Sequence, residues 1–121
     1  MMRIVVAALL AAALAACASP LSGDYAKGKG KTLKVNQQTW SGYQEYLTAI
    51  SQTNPGYFVV AVVDGVAVGG NYQYCPGTSC IIVGSAASQL VDRCEGYGPG
   101  VECILFAHSA EILVNYKLAD E

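Results

Sequence analysis

Residues 57–68 read Tyr-Phe-Val-Val-Ala-Val-Val-Asp-Gly-Val-Ala-Val, and this stretch decides the fold. Two runs of β-branched and aromatic residues, which suit strands, are separated by Asp64-Gly65. A two-residue Asp-Gly turn takes positive φ angles and matches the twist of the strands that it joins. We therefore predict a β-hairpin whose second strand continues to Cys75. Gly69 and Gly70 within that strand indicate a bulge or a close approach of the backbone.

A helix is predicted on each side of the hairpin. Residues 32–35 favour a short strand, after which Asn36 is well placed to cap the first helix. Residues 54–56, Asn-Pro-Gly, end that helix. Ser85 can cap the second helix. The residues that recur at helical spacing are Trp40, Tyr43, Leu47 and Ile50 in the first helix, and Ala86, Leu90, Val91 and Cys94 in the second.

Two further strand-like runs complete the chain. They cover residues 101–107 and 112–118, and a short polar link around His108 and Ser109 joins them. The resulting order is β-α-ββ-α-ββ. It predicts one α+β domain over residues 31–121, with an antiparallel sheet of about four to five strands and two helices on one face.

The front of the chain has the pattern of an export signal. Residues 4–16 form an unbroken apolar run behind Met1, Met2 and Arg3. A helix needs about 20 apolar residues to cross a bilayer, so this run is too short to be a permanent anchor. We predict that residues 1–16 are a cleaved signal peptide.

The run ends in Leu14-Ala15-Ala16-Cys17, which resembles the lipobox of bacterial lipoproteins. The resemblance implies cleavage before Cys17 and acylation of that cysteine, and two or three acyl chains anchor a protein stably. Ala18, in place of an aspartate after the cysteine, implies the periplasmic face of an outer membrane. An ordinary secretory signal, cleaved around residues 16–18, is the alternative.

Residues 17–30 are predicted to be a flexible tether. They contain Pro20, Ser22 and Gly23, and residues 27–31 alternate lysine and glycine. Lys27, Lys29, Lys31 and Lys34 suit anionic headgroups, at about 1 kcal/mol each near such a surface, but we favour the tether interpretation. Removal of Arg3 leaves six basic residues against nine acidic ones. Only Arg93 and Lys117 follow residue 35, so no nucleic-acid partner is expected.

Four cysteines remain besides Cys17, an even number in an oxidising compartment. Three pairings are open, and we favour Cys75 with Cys80 and Cys94 with Cys103 because each pair encloses a short turn. Zinc ligation is the alternative, although the chain lacks paired C-x-x-C spacing. We predict two disulfides, with no metal site and no cofactor.

Several stretches match a pattern of helix entry, strand and cysteine. They are residues 30–33, Gly56-Tyr57-Phe58, the loop from Tyr72-x-Tyr74-Cys75 to Cys80, residues 85–94, and Gly100-x-x-Cys103. Together they are similar to a set of small exported domains of uncharacterised function found mainly in alphaproteobacteria. Those domains often end in a strand closing on a tryptophan, whereas this chain has Ile112-Leu113-Val114 and an acidic tail. The resemblance implies a fold and no reaction.

The sequence contains no convincing catalytic constellation. His108 is the sole histidine and falls in a predicted turn, where histidines are usually solvated. Residues 77–81 lack the final glycine of a G-x-S-x-G elbow, and the Lys/Gly stretch lacks the spacing of a phosphate-binding loop. Asp92 and Glu95 lie near the exposed end of a helix. We predict that the protein is not an enzyme.

Tyr72 and Tyr74 alternate on one face of the second hairpin strand. Their rings can stack on a sugar or on a partner protein, or they can cover the core. Our leading hypothesis is a non-enzymatic envelope lipoprotein that contacts an envelope protein or the cell wall through these tyrosines. The alternative is a small-molecule or metal-binding module that uses His108 and nearby carboxylates.

Overall fold

The computed structural model of the chain describes residues 20–51, 55–74, 86–96 and 98–119. The predicted signal peptide, Cys17, Cys75, Cys80 and Ser85 lie outside these residues. No helix in the described ranges is long and apolar enough to cross a membrane. The elements are a 3-10 segment (Pro20–Tyr25), β1 (Leu33–Val35), α1 (Gln37–Ile50), β2 (Gly56–Val63), β3 (Val66–Tyr74), α2 (Ala86–Glu95), β4 (Glu102–His108), β5 (Glu111–Ile112) and β6 (Tyr116–Leu118).

The strands form one sheet in the order β5-β4-β2-β3-β1-β6. The predicted α+β class is confirmed, but within the described residues the sheet has six strands where four to five were predicted. It is also mixed, because β1 runs parallel to both β3 and β6. The single strand predicted at residues 112–118 is instead divided between β5 and β6, which lie at opposite edges of the sheet.

The sheet is strongly curled. Its two edge strands, β5 and β6, are joined by residues 113–115 alone. Such a link spans at most about 14 Å, whereas six flat strands would be about 24 Å wide. The rings of Phe106 in β4 and Tyr116 in β6 are accordingly 5.7 Å apart across the concave side.

The predicted hairpin is confirmed, including its turn. Asp64 and Gly65 take φ angles of 52° and 78°, as a tight turn between twisted strands requires. Ala61 is in register with Gly69 and Val62 with Ala67, so Val68 is the extra residue of a bulge. The glycine pair thus marks a bulge, as the sequence indicated.

The two helices lie on opposite faces of the sheet, so the prediction that both lie on one face was wrong. Phe58 and Val60 of β2 pack in the cluster that contains α1, whereas Val59 between them packs with α2. Successive side chains of a strand point to opposite faces. Because β2 is apolar on both faces, each face needs a helix to cover it.

Helix α1 fills the concave face of the sheet. Its N-cap is Asn36, as predicted, whose side-chain oxygen accepts a hydrogen bond from the Thr39 amide at 2.8 Å. Tyr43, Tyr46 and Ile50 are buried against the sheet. Trp40, predicted to belong to the same stripe, is partly buried at its edge.

Residues 20–26 belong to the folded body, so the tether predicted for residues 17–30 is wrong over this part. The buried Ser22 hydroxyl donates to the Leu105 carbonyl at 2.7 Å. Tyr25 and Ala26 are buried, and Ala26 forms a bridge with Val114. The segment pairs with the link between the two sheet edges, a long-range role that its local sequence does not reveal.

Candidate interaction site

Strand β3 has a free edge over most of its length. Its pairing with β1 covers only Val66 and Ala67, whereas β3 continues to Tyr74. The chain leaves the sheet at Asn36 and begins α1 at the next residue. Within the described ranges, no strand pairs with residues 68–74 on the side away from β2.

The hydrogen-bonding groups at this edge can be assigned from the register. The Gly56 carbonyl accepts from the Ser109 amide at 2.7 Å, so it points away from β3. Gly56 is in register with Tyr74, and antiparallel pairs alternate between bonded and non-bonded. The main-chain groups of Tyr74, Tyr72 and Gly70 therefore point outward, away from β2.

Two features limit pairing at this edge. The Tyr72 amide donates to the side-chain oxygen of Asn71 at 3.0 Å, which satisfies one outward donor. The bulge at Val68 interrupts the regular ladder where β1 ends. Natural sheets protect exposed edges with bulges of this kind. The outward groups of Gly70 and Tyr74 lie on either side of the capped amide.

Tyr72 and Tyr74 lie half-buried where this edge meets the core. The Tyr72 ring is 5.5 Å from that of Tyr46 on α1 and 6.0 Å from that of Tyr74. Both tyrosines pack against the concave cluster. Each ring therefore has one side on the core, and its partial exposure leaves area for a partner.

A groove of about 380 Å³ lies between α1 and β3 near the start of the free edge. Gly69 and Gly70 form its floor on the strand, where no side chain obstructs an incoming backbone. The helix side is polar. It is lined by Gln38, Thr39, Ser41, Gly42 and Glu45.

The Cys94–Cys103 disulfide predicted from the sequence is present and joins α2 to β4. Both cysteines are buried, so the bond is a structural disulfide and not an exposed redox centre. The Glu95 carboxylate accepts from the Cys103 amide at 3.5 Å. The predicted pairing of Cys75 with Cys80 lies outside the described residues.

His108 ends β4 and does not lie within a turn as predicted. Its ring is stacked on that of Tyr57 at 4.8 Å, and it is in register with Glu111 of β5. In the part of the chain that the structure describes, no group of three or more His, Cys, Asp or Glu is arranged to hold a metal ion.

Among the described residues, the titratable group with the largest pKa shift is Tyr46, and its environment is structural. Burial raises the pKa of its phenol, and the neighbouring Tyr43 and Tyr57 raise the pKa further. The hydroxyl donates to the Ser109 carbonyl at 2.8 Å. No nucleophile or base is in contact with it among these partners, so the shift reflects packing under α1.

Comparison with protein-family models, with curated proteins and with solved structures found no match. The resemblances to the lipobox and to small exported domains therefore remain predictions.

Proposed function

We propose that this protein is a lipid-anchored component of a bacterial cell envelope whose domain is a non-enzymatic protein-interaction module. The lipobox-like residues 14–17 support anchoring through Cys17 on the periplasmic face of the outer membrane. The domain's contact site is the free edge of β3 together with Tyr72 and Tyr74.

The observation that supports this site is the row of outward main-chain groups at Gly70, Tyr72 and Tyr74. An extended segment of a partner can add to such an edge as a further strand, with its main chain providing affinity. The half-buried tyrosines beside the edge supply aromatic contact area at low entropic cost. The bulge and Asn71 restrict the edge to partners that can displace the cap on Tyr72.

Site-specific crosslinking in the cell envelope tests this proposal. A photoreactive phenylalanine replaces the exposed Gln73 of β3, and in a matched control replaces the exposed Ser88 of α2. We expect a discrete crosslinked protein from position 73 and none of that mass from position 88. Identical products from both positions would contradict the site.

Three variants then separate the ring contribution from the backbone contribution. Tyr74→Ala removes the ring and keeps the outward amide, whereas Tyr74→Pro removes both without affecting bonds to β2. We expect the crosslink to weaken with alanine and to disappear with proline. Tyr116→Ala, which removes an exposed tyrosine on β6, should leave the crosslink unchanged. An unchanged crosslink in folded Tyr74→Pro protein would refute strand addition.

Mass spectrometry tests the anchor independently. The N-terminal peptide of protein isolated from membranes should begin at Cys17 and carry acyl chains. Cys17→Ala should abolish both the acylation and the cleavage at that position. An unmodified N-terminus at residue 17 or 19 in the natural protein would show instead that the signal is an ordinary secretory one.

A further inference from the structure

The sheet brings together lysines that are far apart in the sequence. Lys34 of β1 is in register with Lys117 of β6, 83 positions later in the chain. Lys27, Lys29 and Lys31 lie in the segment that leads into β1. We define these five exposed residues as the lysine face: Lys27, Lys29, Lys31, Lys34 and Lys117.

The lysine face contains five of the six basic residues that follow the predicted signal peptide. Arg93, the sixth, lies on α2. Asp24 lies three positions before Lys27 and is paired with Lys31 at 3.7 Å, and Asp120 and Glu121 follow Lys117 by three and four positions. The five lysines still outnumber these three acids. The face remains net positive, in contrast to the acidic balance of the rest of the domain.

Two valines extend this surface into an amphipathic row. Val63 pairs with Val66, Val66 with Lys34, and Lys34 with Lys117, across four adjacent strands. Residues in register point to the same face of a sheet. Val63 is 40% exposed, and the row lies on the convex face beyond the cluster that α2 covers.

The folded body begins close to the predicted anchor. Pro20 starts the 3-10 segment, so only residues 18 and 19 separate it from Cys17. Three residue steps span at most about 11 Å. If Cys17 is acylated, the end of the domain that carries residues 20–31 is therefore held against the bilayer surface.

We infer that the lysine face, with Val63 and Val66, is a membrane-contact surface that binds anionic phospholipid headgroups and orients the domain on the bilayer. The approach to the bilayer rests on the proposed lipid anchor, but the surface chemistry does not. Lysines are attracted to an anionic surface within about 10 Å, and the exposed Val63 beside the half-buried Val66 can enter the interface. The row combines both properties.

Vesicle sedimentation tests the surface without the anchor. The chain from residue 17 to 121 with Cys17→Ser keeps every described residue, and near-ultraviolet circular dichroism verifies its fold. We expect binding to phosphatidylcholine vesicles that contain about 30% phosphatidylglycerol, and little binding to phosphatidylcholine alone. About 0.5 M NaCl should release the protein. Equal binding to the two kinds of vesicle would overturn the inference.

Charge-matched variants localise the contact. Lys34→Gln should lower the partition coefficient about fivefold, the equivalent of about 1 kcal/mol for one lysine. Arg93→Gln, which removes a charge elsewhere, should change it less than about twofold. Equal losses of the partition coefficient in the two variants would show that net charge alone drives binding and would overturn the lysine face as the contact surface.

Two additional measurements complete the test. Val63→Thr, a substitution of similar shape, should weaken binding to the vesicles several-fold. Free glycerol phosphate should not compete with the vesicles for the protein. Competition by the free headgroup would indicate a phosphate pocket and would refute a surface contact. These outcomes are separable from the anchor, because acylation is read from the mass of residue 17 and not from vesicle binding.

Discussion

The ring of Phe58 in β2 lies against the backbone of Gly70 in β3. A Cβ added at Gly70 would lie 2.3 Å from the tip of the Phe58 ring. That ring cannot easily move, because it is surrounded by the rings of Tyr43, Tyr46 and Phe106. Glycine at position 70 is therefore required by packing and not by backbone conformation.

Gly70→Ala should destabilise the domain by about 1–3 kcal/mol, the usual cost of overpacking a core. Gly69→Ala is the matched control, because a Cβ there meets nothing within 4 Å. Its effect should be below about 0.5 kcal/mol. Urea unfolding followed by the fluorescence of Trp40 measures both, and equal effects at the two glycines would contradict the packing argument.

Burial of Tyr46 makes the fold sensitive to alkali. Its pKa is raised by burial, so the unfolded phenol ionises first, at about pH 10. The stability that the neutral phenol contributes is thus complete below pH 10 and is lost as pH rises above it. At pH 8, we expect Tyr46→Phe to lower the free energy of unfolding by about 1 kcal/mol, because the hydrogen bond to Ser109 is lost. Between pH 9 and 11, the free energy of unfolding should fall less in this variant than in the natural protein. An equal fall in the free energy of unfolding of the two proteins, measured with urea, would refute the assignment of the alkali sensitivity to Tyr46.

Some features of strand β2 and its neighbours could be predicted from the sequence, and others could not. Its turn, its β-branched content and the cap of α1 at Asn36 are local features, and each was predicted correctly. The opposite placement of the helices was missed, although the continuous apolar run of residues 57–63 signals a strand buried on both faces. A strand with one wet face would alternate. Tyr46 lies next to Leu47, which was predicted to face the core, and Tyr46 is buried as well because the curled sheet surrounds more of α1 than a flat sheet would.

The disulfide joins α2 to β4, which otherwise meet through apolar contacts and the hydrogen bond from the Cys103 amide to Glu95. The variant Cys94→Ala/Cys103→Ala should lose about 2–3 kcal/mol, the value for closing a loop of about ten residues in the unfolded chain. Urea unfolding under oxidising conditions measures this loss. Brief proteolysis should cut the variant first near residues 96–101, between α2 and β4. An unchanged unfolding midpoint would show that the contacts of Leu90 and Val91 alone hold the helix.

On the scale of the whole molecule, the curling of the sheet could not be predicted from the sequence. Residues 113–115 join two sheet edges, and Ala26 pairs beside them at Val114. Nothing in the local composition of residues 20–26 distinguishes a docked segment from a tether, because the docking depends on partners about 90 positions away. The free edge of β3 was hidden for the same reason, since it exists only because β1 is short and α1 begins early. Tyr72 and Tyr74 were recognisable as candidates, but not the edge beside them.

The short distance between Cys17 and Pro20 leads to a prediction for the anchored molecule. If Cys17 is acylated as proposed, Lys34 and Lys117 of the protein in anionic vesicles should be protected from an amine-reactive reagent, because the anchor would hold the lysine face against the headgroups. Insertion of a Gly/Ser linker of about 20 residues before Pro20 would allow the domain to move about 25 Å from the surface and would lower the effective concentration of that face. We expect labelling of both lysines to be several-fold higher in the insertion variant. In the natural chain, labelling should rise by a similar factor when anionic vesicles are replaced by zwitterionic ones. Mass spectrometry of the labelled peptides provides the measurement. Labelling that is independent of linker length and lipid charge would mean that the face points away from the bilayer.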